Sequence, residues 1–286
     1  VTEAYGPLGV TVARGVASVT IDHPPTNLVD GAFVGALIQL LDACDADDTV
    51  RVVVFSSADP DFFLMHGDVA MILAAPSPSA PVTAPNVAAA TFDRLRSSRA
   101  VTIAAIDGAA RGGGAEFCSA CDLRYGSPRA VLGQPEVPMG ILPGAGGTAR
   151  LPRLLGRSRA LELVLTGRDV AADEALALGW LDAVVPPEAL LGYAREVATR
   201  IASMPPAVVT AVKRVVDESL GGALTDGLTA ESAALAALMA RGGHRESMAR
   251  FLALGGQTRD GERAAARFAG IVDEMLAAEP GEDAGR

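Results

Sequence analysis

Residues 111–122 read RGGGAEFCSACD, and a second acid stands further on, at Glu136, in GQPEVPMGILPGAGGTARLPRLLG. Gly112, Gly113 and Gly114 follow the apolar run VTIAAI and precede a helical pattern beginning near Ala115. Glycines in that place leave backbone N–H groups at the positive end of a helix, with no side chain to keep a ligand away. Such a turn can hold an oxyanion, or it can be a tight strand-to-helix connection without a ligand. Glu116, in the first helical turn, is equally compatible with simple compensation of the helix dipole. Glu136 differs: it lies between Pro135 and Pro138, in an apolar segment that has no use for a solvent-facing acid. Two carboxyl groups in apolar surroundings can be given different pKa values and so divide the work of acid and base.

Other chemistry is less well supported. GAGGTA, from Gly144 to Ala149, fits a dinucleotide-binding glycine pattern, but Pro138 and Pro143 spoil the strand that should precede it. His23, His66 and His244 are scattered singly, so no metal site is expected. Cys118-x-x-Cys121 lacks a thioredoxin-like context and reads as packing.

The elements that would position the acids are partly legible. Val10–Ala13 and Val16–Ile21, split by Arg14-Gly15, read as a hairpin. A helix follows, with Asp30 placed to cap it, and then VRVVVFSS reads as a strand covered on both faces. Residues 75–85, with four prolines, read as an exposed loop and a candidate lid. A helix over NVAAATFDRLRSS, the buried strand VTIAAID and shorter strand-like pieces at AVLG and WLDAVV complete an α/β core over residues 1–204. From Pro205-Pro206 the pattern turns to helices alone, which gives a helical region over 205–278 and a disordered tail over 279–286.

Half of the residues are hydrophobic and a fifth are charged, which fits a large buried core. The net charge of −10 disfavours nucleic acid and anionic membrane surfaces as partners. Only Lys213 among the 24 basic residues is a lysine, so any phosphate clamp must use arginine. Three cysteines form no disulfide framework, and neither a signal-peptide pattern nor an apolar run of about 18 residues is present, so a cytoplasmic protein is expected.

Taken together, FSSADPDFFLMHGD, AAIDGAARGGGAEFCSACD, GQPEVPMGILPGAGGTARLPRLLG and LTGRDVAADEALALGWLDAVVP resemble the crotonase (enoyl-CoA hydratase/isomerase) superfamily over nearly the whole chain. The resemblance implies a spiral of repeated β-β-α units with a C-terminal helical region. It implies an acyl-CoA thioester substrate, with coenzyme A as part of the substrate and no separate cofactor, and a homotrimer or dimer of trimers. Carried over residue by residue, it gives the N–H groups of Gly113 and Gly67 to the thioester oxygen. It sets Glu116 and Glu136 on either side of a water that Gly144 helps to hold, and makes Met65, His66, Asp68, Gly112 and Pro143 line the substrate. Both acids are present, as in members that hydrate enoyl thioesters; enoyl-CoA isomerisation and non-catalytic acyl-CoA binding are the alternatives. Met65 and His66 stand where the family usually has small residues, which implies either an altered substrate choice or two side chains turned away from the ligand.

Overall fold

The computed structural model describes residues 2–74, 81–258 and 265–277. The chain divides into two compact units, Val1–Ala202 and Ser203–Arg286.

The first unit opens with β1 (Thr2–Tyr5), β2 (Leu8–Ala13) and β3 (Val16–Ile21), paired antiparallel in sequence. The β2–β3 turn is made by Arg14 and Gly15 at φ 50° and 77°. Two successive left-handed residues give a two-residue hairpin the twist its strands need. From β3 onward the pairing is parallel: β4 (Val52–Ser57), β6 (Val101–Ile106), β8 (Leu123–Gly126) and β11 (Ala183–Val184) continue one seven-stranded sheet, in the order β1-β2-β3-β4-β6-β8-β11. Every residue of β6 is buried, as a parallel strand covered on both faces requires.

A second sheet takes one short strand from each turn of the winding. Its order is β10-β9-β7-β5, built from β5 (Phe62–Leu64), β7 (Ala109–Arg111), β9 (Val131–Gly133) and β10 (Asp169–Ala171). The pairs β4/β5, β6/β7 and β8/β9 thus each send one strand to each sheet, which is the repeated β-β-α winding. The helices between are α1 (Gly31–Ala46), α2 (Val69–Ala74), α3 (Val87–Ser97), α4 (Gly113–Ala120), α5 (Gly147–Leu155), α6 (Arg157–Thr166), α7 (Ala172–Leu178) and α8 (Pro187–Ala202). Asp30 and Asn86 cap α1 and α3 by accepting from Phe33 N and Ala89 N, each at 2.9 Å.

Helix α4 starts at Gly113, two residues before the start expected from sequence. Gly113 and Gly114 are therefore helical, and the whole of α4 is buried. It is pinned from two sides. Phe117 meets the rings of Phe33, Phe55 and Phe92 edge-on at centroid distances of 5.7, 5.0 and 5.6 Å, and Trp180 Nε1 donates to Ser119 Oγ at 3.0 Å. Edge-to-face packing of this kind holds ring orientation as well as burying area. Cys44, Cys118 and Cys121 are buried and unbridged, and burial pushes the Cys118 thiol well up.

The second unit contains α9 (Pro206–Ser219), α10 (Leu224–Ala240), α11 (His244–Ala253) and α12 (Ala265–Ala277). Pro206 occupies the first turn of α9, where its missing N–H costs nothing. A Cβ on Gly227 would stand 2.6 Å from Ser219 Oγ, so α9 and α10 close on each other there through a glycine. The proline-rich residues 75–80 and the tail 279–286 lie outside the described residues, while 81–85 carry no regular structure.

Candidate active site

The three glycines have three different neighbours. A Cβ on Gly114 would fall 1.8 Å from the carbonyl oxygen of Leu64, so α4 can lie against β5 only with a glycine there. On Gly113 it would stand 3.2 Å from Val29 Cβ and 3.3 Å from the backbone nitrogen of Gly67. On Gly112, at φ 54°, it would meet Glu136 Oε1 at 2.7 Å and His66 Cβ at 2.8 Å. Gly114 thus serves packing, while Gly112 and Gly113 keep open a space bordered by Gly67, His66 and Glu136.

Gly67 and Gly113 come from separate segments. Val29 N donates to the carbonyl of His66 at 3.1 Å, which seats the 65–68 loop beside α4. Among the described residues no hydrogen bond uses the N–H of Gly67 or of Gly113. Unused N–H donors of this kind, one of them at the start of α4, can stabilise a developing negative oxygen.

Glu116 is buried on α4, and its Oε1 accepts from the N–H groups of Ala145 and Gly147, both at 2.7 Å. Burial pushes its pKa up, while these two N–H groups and the Arg150 charge oppose that push. Glu136 is buried just before a 3₁₀ turn, Val137–Met139. Among the described residues its Oε2 has no partner, and burial, with the charge of Glu116 adding to it, raises its pKa to about 7. Two N–H groups from a neighbouring segment solvate the Glu116 carboxyl, whereas only Glu136's own backbone N–H opposes burial at the other, so they are biased toward different protonation states.

The remaining residues expected to line the site fall as follows. Met65 is buried, its N–H donating to the Asn27 carbonyl at 2.7 Å. His66 is half-buried, with Nδ1 3.1 Å from the Gly67 carbonyl, and its Cβ borders Gly112. The Asp68 carboxylate caps α2, accepting from Ala70 N at 2.8 Å and Met71 N at 3.2 Å. Pro143 is buried, and a Cβ on Gly147 would stand 2.7 Å from its Cβ. Gly144 is exposed and its carbonyl accepts from Asn86 Nδ2 at 2.8 Å; the donors that reach Glu116 are its neighbours Ala145 and Gly147.

Sequence reasoning missed two polar side chains here. Gln134 is fully buried with neither Oε1 nor Nε2 partnered among the described residues, and a Cβ on Gly147 would stand 3.1 Å from its amide. Arg150 is nearly buried and reaches back to the Ala145 carbonyl at 3.0 Å. The signal was there, in a polar residue two before Glu136 and a cation three after the first residue of α5, but neither position announces burial.

A family model described as Enoyl-CoA hydratase/isomerase matches residues 11–256. The chain is 34% identical over 238 residues to "Probable enoyl-CoA hydratase 2, mitochondrial" of Arabidopsis thaliana, covering 83% of this chain and 79% of that protein. It is 37% identical over 190 residues to the fatty acid oxidation complex subunit alpha of Idiomarina loihiensis, covering 65% of this chain and only 27% of that longer protein. Among solved structures it resembles the enoyl-CoA hydratase of Bacillus anthracis, with TM-score 0.75, 30% identity and coverage of 82% and 91%. The enoyl-CoA hydratase/isomerase of Cupriavidus metallidurans CH34 matches with TM-score 0.82, 25% identity and coverage of 89% and 96%. No helix among the described residues is long and apolar enough to cross a membrane.

Proposed function

The chain belongs to the enoyl-CoA hydratase/isomerase family, and from that premise we propose that it is a hydro-lyase adding water reversibly to a 2-enoyl-CoA to give the 3-hydroxyacyl-CoA. The observation that carries this reading is the unequal pair of buried acids beside two unused N–H donors. Coenzyme A enters as part of the substrate, and no separate cofactor is called for.

Water resists adding to C3 of an enoyl thioester because the electron pair must collect on the carbonyl oxygen as an enolate. In this reading that oxygen lies between the N–H groups of Gly67 and Gly113. Each donor lowers the barrier by about 3–4 kcal/mol where water is excluded. Glu116, whose ionised form the N–H groups of Ala145 and Gly147 favour, takes a proton from the water as its oxygen bonds to C3, with Gly144 helping to hold that water. Glu136, whose pKa near 7 leaves a proton on about half of the molecules at neutral pH, delivers that proton to C2 as the enolate collapses. Dehydration runs the same steps backwards.

The proposal includes self-association as a trimer or dimer of trimers, motivated by Val208, Val212, Val216 and Leu220, which recur along α9 and its end and are exposed in the isolated chain. It also places the protein in the cytoplasm, supported by three buried thiols with no bridge between them.

The deciding assay is loss of the enoyl absorbance when the purified protein meets crotonyl-CoA. Product identified as 3-hydroxybutyryl-CoA supports the reading. A double-bond shift in a 3-enoyl-CoA without hydration would instead mark an isomerase, and tight binding without turnover an acyl-CoA binder.

A further inference from the structure

Arg150 sits in the first turn of α5, where the helix dipole disfavours a cation. Its side chain is only 13% exposed, and burial lowers its pKa, so two effects oppose its charge. Two contacts offset them. Nη1 donates to the Ala145 carbonyl at 3.0 Å, and Nη2 lies 3.5 Å from the Asp93 carboxylate on α3. The backbone makes room for this arrangement: Gly146 is at φ 122°, and a Cβ there would fall 1.7 Å from Nη1. Ala145, whose carbonyl takes the guanidinium, is the residue whose N–H goes to Glu116 Oε1 at 2.7 Å. One peptide segment therefore has the cation on one side and the acid on the other.

We propose that Arg150 is a positioning residue for Glu116: gripping the Ala145 carbonyl, it holds residues 144–147 in the shape that turns the N–H groups of Ala145 and Gly147 onto that carboxylate. The catalytic consequence rests on the functional reading above, but the effect on Glu116 does not. The charged and titratable groups around this pair are Glu136 before the 3₁₀ turn, Cys121 at the end of α4, Asp93 and Arg96 on α3, and His66 across Gly112. Arg150 itself is the cation whose field acts on Glu116, in the direction that favours its ionised form.

The test compares wild type with Arg150→Gln and Arg150→Lys by two readouts. Titration of the Glu116 carboxyl by ¹³C NMR, assigned with Glu116→Gln, needs no activity. Steady-state hydration of crotonyl-CoA gives kcat and KM. In Arg150→Gln, Glu116 should titrate at higher pH than in wild type, and kcat should fall about 10–100-fold with KM changed much less. Arg150→Lys keeps a charge without the forked donor set, so it should lie between the two. An unchanged Glu116 titration, or a kcat within about twofold of wild type, overturns the proposal. Should Arg150→Gln fail to fold, Arg150→Lys decides by the same two criteria. If wild type itself does not hydrate crotonyl-CoA, the functional reading fails, and the NMR titration still decides the role of Arg150.

Discussion

Glu136 Oε1 lies 2.7 Å from the point where a Cβ on Gly112 would stand, so the glycine and the acid share one small volume. Gly112 is also left-handed, at φ 54°, and its N–H is tied to the Gly133 carbonyl at 2.9 Å. An alanine there must both accept that conformation and displace the carboxyl. Gly112→Ala should therefore cost about 1–3 kcal/mol of stability and at least about 100-fold in hydration. Urea denaturation and the crotonyl-CoA assay check both, and near-normal activity would mean that Glu136 works from another position.

Removing either acid tests the division of labour directly. Glu116→Gln and Glu136→Gln preserve side-chain size, so each should lower hydration by about 10²–10⁴ while the circular dichroism spectrum stays native. A variant with full activity would take that residue out of the mechanism.

The two acids titrate as a pair, and hydration needs one proton on it, located on Glu136. With Glu136 raised to about 7 by burial and by Glu116, kcat/KM for hydration should fall as pH rises through that region. Above the break the decline should be about tenfold per pH unit. A profile that is flat from about pH 7 to pH 9 contradicts Glu136 as the proton donor.

How legible this was depends on what each feature leaves in the sequence. The β2–β3 hairpin, the capped helices α1 and α3 and the fully buried, largely apolar strand β6 carry strong local signals, and all of them form. The three-residue strands β5, β7 and β10 carry almost none, because alternation cannot be read over so few positions. Glu116 and Glu136 were readable as an acid beside glycines and an acid among prolines. What set them apart from each other was not readable, since two N–H groups from 29 and 31 positions away solvate only Glu116. Asp68 shows the converse: the resemblance made it line the substrate, while its carboxylate caps α2, a short helix that the sequence pattern did not mark.

The apolar face of α9 leads to a prediction about assembly. Val208, Val212, Val216 and Leu220 are 39%, 57%, 57% and 61% exposed in the isolated chain, at intervals of one helical turn. Such a stripe on a water-facing helix calls for a cover. Light scattering at micromolar concentration should return three or six times the chain mass, and Val212→Asp with Val216→Asp should lower that number. A monomeric mass for the wild type would remove the assembly from the proposal.

The buried Glu136 should also be visible in stability, because its proton is bound more tightly in the native state than in the unfolded chain. Its ordinary value is 4.5 and its native value about 7. Below about pH 4.5 the group is neutral in both states and costs nothing. As pH rises toward 7 the unfolded chain ionises freely while the native protein must either keep the proton or bury a charge. Stability present at low pH is thus lost progressively and levels off above about pH 7, by an amount on the order of 3 kcal/mol. Glutamine carries no charge at any pH, so Glu136→Gln should gain on wild type by about that amount at pH 8 and by almost nothing of this origin at pH 4.5. Urea unfolding of both proteins at the two pH values, at one fixed concentration so that assembly contributes equally, measures the difference. The same gap at both pH values would mean that the Glu136 pocket does not hold its proton as the native geometry requires.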